Sequence, residues 1–296
     1  MARRPSAYYA APRAPRVVLS GALAVTMLLL VIATLRYVPG SPLSAAAGPR
    51  WLAVTATPSS DDQPQTGPTK QPLAVAAHTV TLNTVGSAEW TMIDRRANKA
   101  YGSLHRSAVG NTASLIKVWI AADFLRRNDR ISDTRRSEVS HMIRDSDNDA
   151  ATDLFDVNGG IASINRMISI CGLTDSSGHP NWSETKMSAR DIARLGTCIA
   201  TGRAAGPTWT AWLYNEMQQV RGEGDFGIRK AFPPALARTI AIKNGWLLRD
   251  ETGDWEINCL AIGNDWTVGV MARYPGRLGQ AYGENICRSV GTQLRA

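Results

Sequence analysis

Two serines, two lysines and an asparagine stand at spacings that suit acyl transfer. Ser114-Leu115-Ile116-Lys117 sets a hydroxyl and an amine three positions apart, Ser146-Asp147-Asn148 follows, and Lys243-Asn244-Gly245 comes later. On a helix, positions three apart share a face, so the Lys117 amine reaches the Ser114 hydroxyl. A serine alcohol becomes a competent nucleophile when a neighbouring base takes its proton. Lys117 is that base only if its pKa falls, and burial beside a second cation such as Lys243 acts in that direction. Ser146 is then placed to relay a proton to the leaving group, Asn148 to donate to a substrate amide, and Lys243 to hold a substrate carboxylate. Gly245 leaves room for a substrate close to the strand backbone. The N–H groups of Ser114 and Trp246 are the expected oxyanion hole.

Each triplet alone is cheap, since S-x-x-K recurs at Ser183 to Lys186; order and context give the set its weight. The first triplet opens an apolar helix, in which Leu115, Val118, Trp119, Ala122 and Leu125 recur at helical spacing and Thr112 or Asn111 is available as cap. The second lies on a polar break between two helices, the first carrying Val139, Met142 and Ile143 and the second Ala150, Ala151 and Leu154. Helical texture continues through residues 161–170, 191–202 and 208–220. The third triplet falls in a strand-like run, 239–248, followed by two more at 255–263 and 266–274 and a final helix over 282–294. Near the other end, HTVTLNTV and AEWTMIDRR read as a hairpin about a Gly-Ser turn. The fold class is therefore α+β: one antiparallel sheet built from both ends of the sequence, flanked by helices, with a helical lobe inserted between its halves.

The chain has 296 residues, 44% hydrophobic and 20% charged, enough for one large domain plus an extension. Its formal charge of +8 includes Arg3, Arg4, Arg13 and Arg16. Without those four the balance is about +4, and no later stripe of Lys and Arg with interleaved aromatics suggests a nucleic-acid partner. Residues 1–16 read as a basic cytoplasmic tail. Val17 to Leu35 carries no charge, so 17–36 reads as a single transmembrane helix with its N-terminus inside, or, if cleaved near Ala45, as a signal segment. The Pro- and Ser-rich stretch 37–77 is a flexible spacer, and 78–296 is the catalytic domain, outside the cytoplasm. All four cysteines, Cys171, Cys198, Cys259 and Cys287, fall in that domain. An even number suits disulfides; of three connectivities, Cys171–Cys198 with Cys259–Cys287 joins neighbouring predicted elements. No metal-ligand spacing occurs. Gly222 to Gly227 matches G-x-G-x-x-G, but a helical segment precedes it and Pro233-Pro234 follows, so a turn is expected rather than a dinucleotide site.

The trio S-x-x-K, S-D-N and K-[TS]-G resembles the class A serine β-lactamases and penicillin-binding D,D-peptidases. The resemblance implies a five-stranded antiparallel sheet with an all-helical lobe closing a cleft, no cofactor, and a β-lactam or peptidoglycan stem peptide as partner. It implies Ser114 as the acylated serine, Lys117 as general base, Ser146 and Asn148 as the second motif, and Lys243 and Gly245 as the third. Three departures stand out. Only 32 positions separate Ser114 from Ser146, so the lobe is expected to be reduced. Asn244 replaces a hydroxyl residue and removes a contact to the substrate carboxylate. Residues 171–191 lack the Glu-x-x-x-Asn element of the family's Ω-loop, leaving Glu184 as the one glutamate there to serve as deacylation base. A serine acyl-transfer hydrolase with slow turnover is therefore expected, the alternative being a non-catalytic or slow penicillin- or peptidoglycan-binding descendant of the same fold.

Overall fold

The computed structural model describes residues 80–295. Strands β1 (Ser87–Asp94), β2 (Lys99–Gly102), β5 (Ala241–Leu248), β6 (Asp254–Ile262) and β7 (Trp266–Pro275) form one sheet in the order β2-β1-β7-β6-β5. Every pairing in it is antiparallel. The terminal strands thus meet as predicted, and β5 is left as an edge. A second ladder pairs β3 (Val109–Asn111) with β4 (Lys186–Ser188). The predicted hairpin is shifted by one strand: β1 turns into β2, whereas Val80 to Thr84 is not strand. The reason is a better partner. Gln293 uses its side-chain amide to accept from Thr81 N (2.9 Å) and donate to Thr81 O (3.0 Å), and Val85 N donates to Tyr282 Oη (2.7 Å).

The helices are α1 (Lys117–Arg126), α2 (Asp133–Arg144), α3 (Asn148–Val157), α4 (Ile161–Cys171), α5 (Ala189–Ala200), α6 (Gly206–Gln218), the single turn α7 (Pro234–Ala237) and α8 (Gln280–Arg295). Helix α5 crosses one sheet face, where a Cβ on Gly269 would stand 2.5 Å from Ala189 O; α8 covers the other through Gly283, packed on Ile257 and Tyr274. Helix α1 is buried on all sides except at Arg126, as a helix apolar all round must be. Its one acid, Asp123, accepts from Ser163 Oγ (2.7 Å) and Arg166 Nε (2.9 Å), which satisfies the charge. Among the described residues no helix is long and apolar enough to cross a membrane; the apolar run 17–35 and the spacer lie outside them.

The cysteines pair as Cys171–Cys198, tying α4 to α5, and Cys259–Cys287, tying β6 to α8. Gly227, at φ +77°, lies against the second bridge, and a Cβ there would stand 3.0 Å from Cys259 Sγ. The glycine-rich run around it is a pair of 3-10 turns, Gly222–Gly224 and Gly227–Ala231, so the predicted turn is what forms. Each bridge closes a loop of under thirty residues, which constrains the unfolded chain by about 3 kcal/mol. Replacing Cys259 and Cys287 together by alanine is expected to lower unfolding free energy by that amount in a urea titration; an unchanged midpoint would contradict it.

Candidate active site

Three pieces of backbone aim the site. Strand β3 runs into the 3-10 turn Ala113–Ile116, which continues directly as α1. The first helical residue is Lys117, one turn later than the sequence suggests, and Thr112 makes no side-chain cap. Ala113 has φ +46°, a left-handed conformation that costs a β-carbon residue about 1 kcal/mol. Such strain gathers where the surroundings hold a reactive group in place. Ser146, between α2 and α3, has φ +60°. It is followed by Asp147, whose carboxylate caps α3 by accepting from Ala150 N (2.8 Å). The third piece is β5. A Cβ on Gly245 would stand 2.3 Å from Thr112 O, 2.6 Å from Leu115 N and 3.0 Å from Ser114 N. Its bare face admits the backbone of the nucleophile turn, a reason for glycine beyond the expected room for a substrate.

Lys117 and Lys243 are both fully buried. Lys117 Nζ donates to Ser146 O (2.5 Å), Asn148 Oδ1 (2.6 Å) and Ser146 Oγ (3.3 Å). None of these bonds goes to Ser114. Lys243 Nζ donates to Ser146 Oγ (3.1 Å) and Asn244 O (3.0 Å). Burial lowers the Lys117 pKa to about 7, against a smaller opposing pull from Asp147. Burial, and then repulsion from Lys117, holds Lys243 well below its ordinary value. The Ser146 hydroxyl therefore bridges two amines. When Lys117 is neutral it has two protons and a lone pair for three neighbours, so Ser146 Oγ–H turns to donate to it while accepting from Lys243. Because the oxygen of Asn148 faces Lys117, its amide NH2 is left for the cleft.

The cleft, about 510 Å³, is lined by Ser114, Ser146 and Asn148 together with Trp246, Leu248 and Trp255. The predicted carboxylate holder, Lys243, is absent from its walls, lying behind Ser146. The cation on the wall is Arg221, which pairs in a two-pronged bridge with Asp145 (2.6 and 2.8 Å) and holds that carboxyl below its usual pKa. Asn244 points to the opposite face of β5, where its amide donates to Gly224 O and Phe226 O (3.0 Å each) and fastens the loop that carries Arg221. Trp246 packs edge-on against Phe226 in that loop, ring centroids 5.7 Å apart. The Ser114 N–H lies in the first turn, where no helical acceptor reaches it.

Through its carboxylate Glu184 makes no hydrogen bond or ion pair with Ser114, Lys117 or Ser146. It ends the 3-10 turn Trp182–Glu184, where its carboxylate accepts from Asn181 Nδ2 (2.8 Å) and lies 3.6 Å from His179 Nε2. What the same turn does bring is Trp182, whose ring centroid is 4.9 Å from Lys117 Nζ. Neither Trp182 nor Arg221 was singled out from the sequence: the first sits in a loop with no family pattern, the second in a glycine-rich turn. Among the described residues no group of His, Cys, Asp and Glu is arranged to hold a metal.

A five-stranded antiparallel sheet backed by helices, with a serine on a strained turn beside a buried lysine, defines the α+β fold of the serine β-lactamases. The chain belongs to the β-lactamase enzyme family, whose family model matches residues 130–294, more than half of its length. That span takes in Ser146 to Asn148 and Lys243 to Gly245 and begins after Lys117. Among solved structures the chain is similar to the TLA-3 extended-spectrum β-lactamase, with a TM-score of 0.61 and 14% identity over 72% of this chain and 95% of that one. A β-lactamase from Burkholderia vietnamiensis matches with a TM-score of 0.58 and 18% identity, covering 70% of this chain and 89% of that one. The ancestral (GNCA) class A β-lactamase matches at 0.57 and 16%, over 71% and 93%. Identities this low establish a shared fold. No curated protein matches the sequence.

Proposed function

We propose that the protein is a serine acyl-transfer hydrolase that opens a β-lactam, or the amide of a peptidoglycan stem peptide, through an ester on Ser114. The observation that carries this reading is the buried Lys117 amine, held near neutrality beside Ser146 one helical turn from Ser114. Ser114 Oγ attacks the carbonyl carbon, and its proton passes to the neutral Lys117. The N–H groups of Ser114 and Trp246 receive the developing oxyanion. As the C–N bond breaks, the Ser146 hydroxyl gives its proton to the leaving nitrogen and regains one from Lys117. Asn148 donates to the acyl-side amide. Arg221 is the cation on the cleft wall, and a substrate carboxylate would share it with Asp145, while Lys243 acts by orienting Ser146. With the Glu184 carboxylate held by Asn181 and no carboxylate hydrogen-bonded to Ser114, Lys117 or Ser146, deacylation is slow.

The apolar run 17–36 as a membrane anchor and 37–77 as a spacer complete the reading, with the domain outside the cytoplasm; two disulfides suit an oxidising compartment. A second reading, a binding-only descendant, draws support from the absence of a Lys117 hydrogen bond to Ser114. Intact mass of the full-length protein in detergent, followed over time after penicillin is added, separates the two. One adduct per chain, lost in Ser114→Ala, is the expected result. No adduct with penicillin unconsumed would leave the binding reading in place.

A further inference from the structure

Taking the Ser114 acyl-enzyme reading as given, we propose that Trp182 sets the lifetime of that ester by sealing the Lys117 side of the cleft against water. The indole is fixed on several sides. Its Nε1 donates to Thr152 Oγ1 of α3 (3.2 Å), so the ring spans from its own loop to the helix that follows Ser146. The loop is pinned to the nucleophile turn where Thr112 N donates to Thr185 O (2.9 Å). Arg249 Nη2 reaches Ser183 O (3.4 Å), and Asn181 Oδ1 accepts from Ser183 N (3.1 Å). The consequence shows at the amine: Ser114 and Ser146 are only half-buried and Asn148 is exposed, yet Lys117 beside them has no exposed surface.

Hydrolysis of the ester needs water to add to its carbonyl carbon and lose a proton to a base, while Ser114 Oγ leaves and takes a proton. Of the carboxylates near the site, Glu184 is engaged with Asn181, Asp147 with the start of α3 and Asp145 with Arg221, while Glu223 lines the cleft on the loop that carries Arg221. Lys117 is the remaining base on that side, and the indole stands against it. A ring face also attracts an ammonium, which acts against burial, the largest influence on this amine. Removing the ring admits water both to the ester and to the amine.

The chain has six lysines, so full-length protein labelled with ¹³C at the lysine ε-carbons gives a spectrum simple enough to follow Lys117 across pH, with Lys117→Met as the assignment. In Trp182→Ala the Lys117 inflection is expected to move up by at least one pH unit, and the penicilloyl adduct, followed by intact mass, to decay at least tenfold faster. Trp182→Phe keeps a ring over the amine and is expected to stay near wild type in both. A wild-type lifetime in Trp182→Ala would overturn the proposal whether or not the inflection moves, and a Phe variant as altered as the Ala one would overturn shielding by the ring. A wild-type protein that forms no adduct would sink the acyl-enzyme reading, and the claim about lifetime with it; an inflection that moves would then mark the indole as a seal on a binding cleft.

Discussion

Replacing Lys117 by methionine is expected to slow acylation of Ser114 by about 10³-fold, the range over which a positioned proton acceptor contributes. Methionine fills a similar volume without bringing a base, so the loss reports proton transfer rather than packing. The wild-type rate should also depend on pH in a direction fixed by the amine. Only the neutral form accepts a proton, so the rate rises with pH through an inflection at about 7. The Met variant, lacking that group, should be slow and flat. Stopped-flow acylation by a chromogenic penicillin between pH 5.5 and 9 measures both features. A wild-type profile flat across pH 7, or a Met variant that retains the inflection, would assign the base elsewhere.

The same substitution carries a stability signature of opposite sign. Lys117 has an ordinary pKa of 10.5 when unfolded and about 7 when folded. Between those values the unfolded chain binds more protons, so stability rises with pH across that window. Below about 7 the folded protein must bury a cation, and the cost is on the order of 5 kcal/mol at about 1.4 kcal/mol per pKa unit. Lys117→Met removes the cost along with the function. It is expected to unfold at higher urea than wild type at pH 7, with the gap narrowing by pH 9.5. Stability forgone at a reactive group is a common trade.

Gly245→Ala is the second large expectation. One methyl group meets backbone on two sides, at 2.3 Å from Thr112 O and 2.6 Å from Leu115 N, and backbone cannot swing aside as a flexible side chain can. Either β5 or the nucleophile turn must shift. Overpacking of this kind costs about 3 kcal/mol, and a displacement near 1 Å in a reacting geometry costs about 10² in rate. Urea titration and acylation by penicillin should therefore fail together. A variant of normal stability that loses only substrate affinity would return Gly245 to the role its motif suggests, close approach by a ligand.

What could be read from the sequence was what local spacing encodes. Ser114 and Lys117 lie three positions apart where an apolar helix begins, Ser114 in the 3-10 turn that leads into it, and the polar break at Ser146 separates two amphipathic runs, so that local order needed no tertiary knowledge. The sheet from both chain ends followed from strand texture at each end, and the two disulfides from the adjacency of the elements they join. What escaped were features set by distant partners. Val80 to Val85 alternates like a strand, yet Gln293 and Tyr282, some two hundred residues on, claim its backbone. Lys243 carries a motif lysine's position, but its exposure depends on how deeply β5 sits behind Ser146. Trp182 acquires meaning only because the turn at Thr185 is hydrogen-bonded to Thr112, and no periodicity in residues 171–191 signals that pairing.

The clasp between Thr81 and Gln293 has a mechanical side. Tension arriving along the chain upstream of Val80 meets the domain first at α8, where the paired amide bonds and the Tyr282 hydroxyl resist it. From α8 the Cys259–Cys287 bond carries the load covalently into β6, an inner strand of the sheet. The nucleophile turn comes next, since Asn258 Nδ2 of β6 donates to Asn111 O (3.0 Å). A pull from upstream of Val80 would therefore be met by a helix and a cross-link before it reached the strained turn at Ala113.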